Sequence, residues 1–108
     1  MKLVTAKISK LLKKYNYLSQ DGKGENAIVI ARFFGGSSCT WYILEGTEDE
    51  DIVFGLANLG YGFEYGTMSL SELQSIKFPL GLGVERDKCI EPGTMTLSEC
   101  MKIYGEHF

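Results

Sequence analysis

The triplet Glu85-Arg86-Asp87 follows a glycine-rich turn, and its residue types could support chemistry. Carboxylates beside an arginine serve general acid–base catalysis or ligand binding, although the same groups also form buried ion-pair networks. Glu45 and Glu64 are predicted near strand ends, so a cluster of these residues around Arg86 is one hypothesis. A structural network is favoured over a site, because a buried arginine needs partners and would tie the loop to the sheet.

The cysteines and the histidine do not predict a metal or cofactor site. Cys39, Cys89 and Cys100 are widely spaced, and His107 is the penultimate residue, so no Cys/His pair has the spacing of a zinc site. The acidic run at 48–51 lacks the glycine and the spacing of a calcium loop. Cys39 follows Gly-Gly-Ser-Ser, which differs from the GxSxG motif, and packing within a strand is its preferred interpretation. We expect no catalytic residues, no metal and no cofactor, and an enzymatic role is not favoured.

Basic residues are concentrated at the start of the chain. Residues 1–24 carry six Lys and one Asp, whereas residues 25–108 carry five basic and thirteen acidic side chains. Lys7, Lys10 and Lys14 are predicted on one side of a helix and could contact a phosphate backbone, which the acidic remainder would repel. A weak nucleic-acid contact is therefore an alternative to the simpler interpretation, a solvated helix face.

The aromatic residues in the middle of the chain resemble a base-stacking platform in composition only. Between residues 33 and 76 there is no Lys or Arg that could hold a nucleic-acid backbone beside the rings. We therefore predict that these rings belong to the core. They are Phe33, Phe34, Trp41, Tyr42, Phe54 and Tyr61.

Three helices are predicted from apolar spacing and capping motifs. The first runs over about 5–15, and its apolar side should cover one face of a sheet. That side consists of Ile8, Leu11, Leu12 and Tyr15. Two capping boxes, Ser69 with Glu72 and Thr96 with Glu99, predict two short C-terminal helices.

Four stretches rich in β-branched and aromatic residues, joined by short turns, predict a four-stranded antiparallel meander. The strands are expected at 26–34, 39–45, 52–59 and 63–68. Gly55 lies inside the third stretch and indicates a bulge or a close backbone approach. The predicted fold class is α+β, with an N-terminal helix, the meander and two short C-terminal helices.

The length and the absence of an interdomain linker indicate a single domain, 1–108. No stretch approaches the ~18 apolar residues that a membrane span needs. The N-terminus lacks the apolar region and cleavage site of a signal peptide. The odd number of cysteines favours free thiols, so we expect a cytoplasmic protein that does not associate with membranes.

Five short motifs occur in an order that resembles one known family. They are Trp41-Tyr42 with Glu45, Phe54-Gly55-Leu56, Glu64 with Gly66 and the segment SLSEL at 69–73, Pro79-Leu80-Gly81, and Glu85-Arg86-Asp87. In this order and spacing, roughly residues 1–92 resemble the DUF2958 family, small bacterial proteins of unknown function often encoded on plasmids, integrative conjugative elements and phages. Cys89-Ile90 replaces a stretch where the family usually has His or aromatic residues, which argues against a catalytic imidazole there. The resemblance implies a mobile-element setting and supplies no activity.

Three functional hypotheses follow. The favoured one is a non-catalytic protein-interaction module, accessory to a mobile genetic element, with an unidentified protein partner and an exposed aromatic patch. The second is a nucleic-acid-associated accessory protein that uses the Lys-rich helix, whose binding would weaken steeply with salt. The third is a small ligand-binding or hydrolytic domain around Glu85, Arg86 and Asp87, with a concave pocket. An edge strand of the meander could also pair across a two-fold axis and form a homodimer.

Overall fold

The computed structural model describes residues 1–107 and has the predicted α+β fold class. Its helices are α1 (Ala6–Lys14), α2 (Leu70–Ser75) and α3 (Leu97–Ile103). Its strands are β1 (Ala31–Gly35), β2 (Cys39–Gly46), β3 (Ile52–Asn58), β4 (Phe63–Ser69) and β5 (Glu85–Arg86). Short 3-10 turns lie at Gly24–Asn26 and Pro79–Gly81. Over residues 1–107, no helix is long and apolar enough to cross a membrane.

Side-chain caps explain where the three helices begin. At the start of α1, Thr5 Oγ1 accepts a hydrogen bond from a backbone N–H of the first turn. Ser69 caps α2 by accepting from the Glu72 N–H, which is one half of the predicted capping box. Thr96 and Glu99 complete both halves of the box at α3. These caps satisfy N–H groups that have no partner within their own helix, and the three predicted helices are confirmed.

The sheet has five strands rather than the four predicted, in the order β4-β3-β2-β1-β5, and every pair is antiparallel. The predicted meander forms the first four strands, and β5 adds to the other side of β1 by pairing with Phe33 and Phe34. The Asp87 N–H then donates to the Arg32 carbonyl (2.8 Å) and continues this contact. A strand of two residues has no apolar alternation, which is why the sequence does not reveal it.

The first strand begins later than predicted, at Ala31 instead of residue 26. The Ile30 N–H still donates to the Ile43 carbonyl of β2 (2.8 Å), but the Val29 N–H donates to the Met95 carbonyl (2.8 Å), in the segment that leads into α3. The β-branched composition of this stretch favours an extended backbone without specifying which segment it pairs with. The predicted strand boundary is therefore wrong by five residues.

Apolar side chains are buried on both faces of the sheet. The first face carries α1 and α2, and its buried core is Leu3, Ile8, Ile30, Ala31, Phe33, Trp41, Ile43, Val53, Leu73 and Val84. The α1 residues Ile8, Leu11, Leu12 and Tyr15 all pack on this core, as predicted. The second face carries α3, and its buried core is Ala27, Val29, Tyr42, Leu44, Leu56, Ile90, Leu97, Cys100 and Met101. The sheet is thus the middle layer between two sets of helices.

The aromatic residues assigned to the core are mostly there. Phe33, Trp41 and Tyr42 are buried, and Phe34 and Phe54 are half-buried. Tyr61 is an exception, because it is 98% exposed in the turn between β3 and β4. Gly60 and Gly62 both have positive φ values there and hold a tight turn beyond the end of the sheet, so the core prediction is wrong for Tyr61.

Candidate functional site

The structure does not bring the predicted carboxylate cluster together. Glu64 is exposed on β4 at one edge of the sheet, and β5, with the first two residues of the triplet, forms the opposite edge. Glu45 is only 2% exposed, at the end of β2. Within residues 1–107, Asp87 is the one member with an ion pair, and its partner is Arg32 rather than Arg86.

Arg86 ties the N-terminal segment to the sheet. Its Nη1 donates to the carbonyl oxygens of Lys2 and of Leu3, the latter at 3.4 Å. From α2, the Gln74 side chain accepts a hydrogen bond from the Leu3 N–H (2.9 Å). Arg86 is therefore engaged by backbone carbonyls, and these contacts fasten the first residues of the chain beside β5.

Arg32 is a charged residue that the sequence analysis missed. It is 8% exposed, and its Nη1 lies 3.1 Å from Asp87 Oδ2 and its Nη2 3.7 Å from Glu106 Oε2. The guanidinium carbon lies 3.8 Å from the centroid of the Tyr104 ring and 5.7 Å from that of Tyr42. We refer to Arg32, Tyr42, Asp87, Tyr104 and Glu106 as the Arg32 network. It surrounds one buried cation with two carboxylates and aromatic faces.

Hydroxyl groups complete the Arg32 network. The Tyr104 hydroxyl donates to the Asp87 carboxylate, and the Tyr42 hydroxyl donates to Glu106. Burial and the hydrogen bond to Asp87 raise the pKa of Tyr104 to about 12, and burial raises the pKa of Tyr42 even further. Both phenols stay protonated at neutral pH and act as donors. Each side chain of the network bonds to another member, and Arg32 Nε is the buried atom left without a hydrogen-bond partner among the described residues. We interpret the network as structural.

The three lysines proposed as a nucleic-acid contact lie exposed along α1. Lys7 forms an ion pair with Glu91, and Lys14 Nζ lies 5.3 Å from the centroid of the Tyr15 ring. Lys10 is exposed as well. The arrangement matches a solvated helix face, and nucleic-acid binding stays a prediction.

A cleft opens on the second face of the sheet. Its volume is about 400 Å³, and its walls include Tyr17, Leu18, Leu44, Glu45, Phe54 and Tyr65. The Phe54 and Tyr65 rings are stacked, with centroids 5.8 Å apart and an interplanar angle of 1°. Tyr17, Leu18 and Tyr65 are 52%, 59% and 45% exposed. We name this feature the aromatic cleft, and exposed apolar surface of this kind is typical of binding sites.

A β-bulge aims Glu45 into the aromatic cleft. The register between β2 and β3 shifts so that Ile43 pairs with Gly55 whereas Glu45 pairs with Phe54. Residues directly opposite each other share a face, so the bulge turns Glu45 to the second face beside Phe54. Gly55 was predicted from the sequence to mark a bulge or a close backbone approach. It pairs with Ile43, directly beside the bulge of β2, which confirms that prediction.

Buried polar groups hold the loop that forms one wall of the cleft. The Glu45 carboxylate accepts hydrogen bonds from the Leu18 N–H (2.8 Å) and the Gln20 N–H (2.9 Å). The Gln20 amide, 4% exposed, donates to the carbonyls of Leu44 (2.7 Å) and Ile28 (2.8 Å) and accepts from the Ile28 N–H (2.6 Å). The loop is therefore fixed to β2 and to the strand-like segment before β1, rather than free to move.

Leu18 is held in a strained conformation on this loop. Its φ is 70°, in the left-handed region that a leucine adopts at a cost of roughly 1–2 kcal/mol, while 59% of the residue is exposed. Glu45 accepts from the N–H of Leu18 itself and from that of Gln20 two residues later, and these two bonds over-determine the backbone between them. The buried acid Glu45 thus holds a strained backbone that keeps an apolar side chain in solvent. Such an arrangement indicates a binding surface more than a requirement of folding.

The aromatic cleft has negative charge and lacks a cation. Asp21 and Glu45 line it, and no Lys, Arg or His does so among the residues that the structure describes. Burial, and to a smaller extent the charge of Glu25, raise the pKa of Tyr65. The site combines aromatic rings with two carboxylate side chains.

A larger groove, of about 990 Å³, lies between α1 and the β2–β3 turn on the first face. Its rim mixes Lys13 with the acidic residues Glu48 and Glu50, and its floor includes Leu12 and Val53. The stacked pair Phe54 and Tyr65 lines the aromatic cleft and not this groove. Leu18, with its left-handed backbone, and the buried Glu45 also line the aromatic cleft. The aromatic cleft is therefore the better candidate site.

Replacing Glu45 with glutamine tests whether the acid holds the cleft loop. A carboxamide offers one acceptor oxygen where the carboxylate offers two, so one of the two loop N–H groups would face an NH₂ donor. We expect Glu45→Gln to lower the free energy of unfolding by about 1–3 kcal/mol, measured by urea denaturation. The matched control is Glu64→Gln on exposed β4, expected to change stability by less than ~0.5 kcal/mol. Equal effects of the two variants would contradict the assigned role.

The three cysteines occupy different environments, and their reactivity should follow them. Cys39 packs against the first-face core as a half-buried strand residue, Cys89 is exposed and Cys100 is buried. Burial raises the pKa of the Cys100 thiol to about 11, so its reactive thiolate is scarce at neutral pH. With an aromatic disulfide reagent we expect Cys89 to react first and Cys100 only after unfolding. Reaction of Cys100 at the rate of Cys89 would show that this core opens.

Over residues 1–107, no three His, Cys, Asp or Glu residues are arranged to hold a metal ion.

Comparison with known protein families gives a match over nearly the whole chain. A family model described as "Protein of unknown function (DUF2958)" matches residues 3–106. The match extends the resemblance of the sequence motifs through α3 to the end of the Arg32 network. No curated protein and no solved structure matches the chain. The description of the family names no activity.

Proposed function

The chain belongs to the DUF2958 family, and from that premise we propose that it is a non-catalytic protein-interaction module that binds its partner through the aromatic cleft. The setting we propose is the bacterial cytoplasm, where the module acts as an accessory to a mobile genetic element. The partner is a protein. Setting and partner class follow from family association and surface chemistry, not from the fold.

One observation carries the proposal, namely that Leu18 is kept exposed in a left-handed conformation beside the stacked Phe54 and Tyr65 rings. A loop that is rigid before binding loses little conformational entropy when a partner docks, which raises affinity. Exposed Tyr and Leu side chains next to a stacked pair supply the apolar and aromatic contacts that dominate protein interfaces.

The chemistry of the cleft favours binding over catalysis. Both oxygens of Glu45 already accept N–H groups of the loop, so this carboxylate positions the backbone. At about 400 Å³, the cleft has room for one or two inserted side chains of a partner. An anchoring side chain in such a pocket, surrounded by weaker contacts, is the usual energetic plan of an interface.

Site-directed photocrosslinking tests this function. The photoreactive residue p-benzoylphenylalanine replaces Tyr17 at the rim of the aromatic cleft, and in a separate variant it replaces Tyr61, which is 98% exposed elsewhere. Irradiation in the host cell should give a discrete protein adduct from position 17 that is absent from position 61. The captured protein is then purified and its affinity measured by calorimetry with the wild type and with Phe54→Leu.

The proposal requires that the purified partner bind the wild type at least tenfold more tightly than Phe54→Leu. Two results would overturn it. Equal affinity of the two forms would mean that the contact lies elsewhere, and an adduct to nucleic acid instead of protein would favour the function based on the Lys-rich helix.

A further inference from the structure

We propose that the aromatic cleft binds an arginine side chain that the partner protein presents, an inference that rests on the proposed function and names the chemistry of its partner. Three features support it, namely the charge of the cleft, a guanidinium site that already exists in the same fold, and the aromatic wall.

The charge of the cleft selects a cation. Asp21 lines it as an exposed carboxylate, Glu45 adds a buried charge whose oxygens bind loop N–H groups, and none of the lining residues in the described chain is basic. Over the whole chain fourteen acidic side chains face eleven basic ones, so the net charge of −3 also favours a basic partner over a phosphate. A phosphorylated ligand would bring the wrong charge.

The Arg32 network shows how this fold accommodates a guanidinium group. Arg32 lies 3.8 Å from the centroid of the Tyr104 ring and 3.1 Å from a carboxylate oxygen of Asp87. The aromatic cleft offers the same two kinds of partner, the rings of Tyr17, Phe54 and Tyr65 and the exposed carboxylate of Asp21. In the Arg32 network the cation is a residue of the chain itself, whereas none of the described residues that line the cleft is a cation.

The shape of the wall favours arginine over lysine. The Phe54 and Tyr65 rings both line the cleft and are parallel within 1°, so the wall contains a stacked aromatic pair. A guanidinium is planar, less strongly hydrated than an ammonium, and stacks on aromatic faces. Lysine would retain only the point-charge attraction to the carboxylates. We therefore assign the anchor of the partner to an arginine.

The test uses short peptides with the full-length protein. The probe is acetyl-Gly-Gly-Arg-Gly-Gly-amide, compared with peptides carrying lysine, or neutral and nearly isosteric citrulline, at the third position. Binding is followed by ¹⁵N NMR through the amides of Gly22, Gly24 and Tyr65. We expect saturable shifts at these amides, with the arginine peptide bound about five- to thirtyfold more tightly than the citrulline peptide and more tightly than the lysine peptide.

Matched variants locate the site. Tyr65→Phe keeps the ring and should keep most of the affinity, whereas Tyr65→Leu and Phe54→Leu should each weaken the arginine peptide at least threefold. Tyr61→Leu, at the exposed turn, is the control and should leave binding unchanged. The Tyr65→Phe variant preserves a readout should a leucine variant unfold. Loss of binding in Tyr61→Leu, or unchanged binding in both leucine variants, would overturn the assignment of the site.

The outcomes separate this inference from the proposed function. If citrulline or lysine peptides shift the same amides as strongly as arginine, the arginine assignment is wrong while the cleft remains a binding site. If no peptide binds and photocrosslinking at position 17 still captures a protein that needs Phe54, the proposed function stands and the inference fails. If neither experiment detects binding at the cleft, both are wrong.

Discussion

Replacing Asp87 with alanine is expected to lower the free energy of unfolding by about 3–5 kcal/mol, measured by urea denaturation followed by circular dichroism. Asp87 is 7% exposed and is the closer of the two carboxylates paired with Arg32. Without it, the buried guanidinium loses its main counter-charge. Its loss also deprives the Tyr104 hydroxyl and the Cys89 N–H of their acceptor.

Two further variants show whether the buried charge causes the loss. Glu91→Ala removes the exposed ion pair with Lys7 and should cost less than ~1 kcal/mol. The double variant Arg32→Met, Asp87→Leu should recover the part of the loss in Asp87→Ala that comes from the uncompensated guanidinium, because it removes that charge together with Arg32 Nε, which is buried without a hydrogen-bond partner among the described residues. It restores no acceptor to the Tyr104 hydroxyl or the Cys89 N–H. If Asp87→Ala is no more harmful than Glu91→Ala, the network does not stabilise the fold.

Replacing Gly55 with alanine is expected to destabilise the protein by about 3 kcal/mol or more. A Cβ atom at Gly55 would lie 1.9 Å from the Tyr42 carbonyl oxygen and 3.2 Å from the Ile43 Cα. Both are backbone atoms of the neighbouring strand β2, next to its bulge, and they cannot move without breaking the register that turns Glu45 into the aromatic cleft. We expect the variant to lose arginine-peptide binding as well as stability.

Gly66 provides the matched control for Gly55. The two glycines are paired across β3 and β4, and a Cβ at Gly66 meets no atom within 4 Å. Gly66→Ala should therefore be neutral or stabilise the protein by up to ~1 kcal/mol, since alanine has less conformational freedom in the unfolded chain. The same urea titration measures both. Equal losses in the two variants would show that the close approach at Gly55 is not what limits substitution.

Features encoded by neighbouring residues could be predicted from the sequence. The period of apolar residues in α1 and the capping box at Thr96 and Glu99 involve groups within a few positions of each other. Gly55 was likewise recognisable as a glycine inside a predicted strand of mostly apolar residues. In each case the physical cause lies within one element, so that a local pattern is enough to reveal it.

Features that depend on distant pairing could not be placed. β5 exists because two residues meet the edge of β1 more than fifty positions earlier, and nothing in Glu85 or Arg86 specifies that edge. The Arg32 ion pair spans 55 positions. A signal for it was present, since one arginine inside the apolar stretch 26–34 requires a buried counter-charge. The sequence left undetermined that Asp87 supplies it.

The candidate site was predicted only in part. Glu45 was named as a site residue, but in a cluster with residues that lie at both edges of the sheet. Its actual partners, the N–H groups of Leu18 and Gln20, belong to a loop that the sequence marks only as rich in turn-forming residues. A backbone N–H has no residue-type signature, and the positive φ of Leu18 is unusual for its side chain, so neither could be anticipated.

The two edges of the sheet differ, and this difference limits how copies of the chain can associate. β4 offers seven residues at an edge to which no other strand adds within residues 1–107, whereas β5 offers two beside the fastened N-terminal segment. Growth of a fibre by sheet extension needs two edges that pair with each other repeatedly. Only β4 is long enough to pair with another copy, and two copies joined through β4 would leave only the short β5 edges exposed. Sheet extension would therefore end at a pair, and the unequal edges protect the fold against open-ended polymerisation.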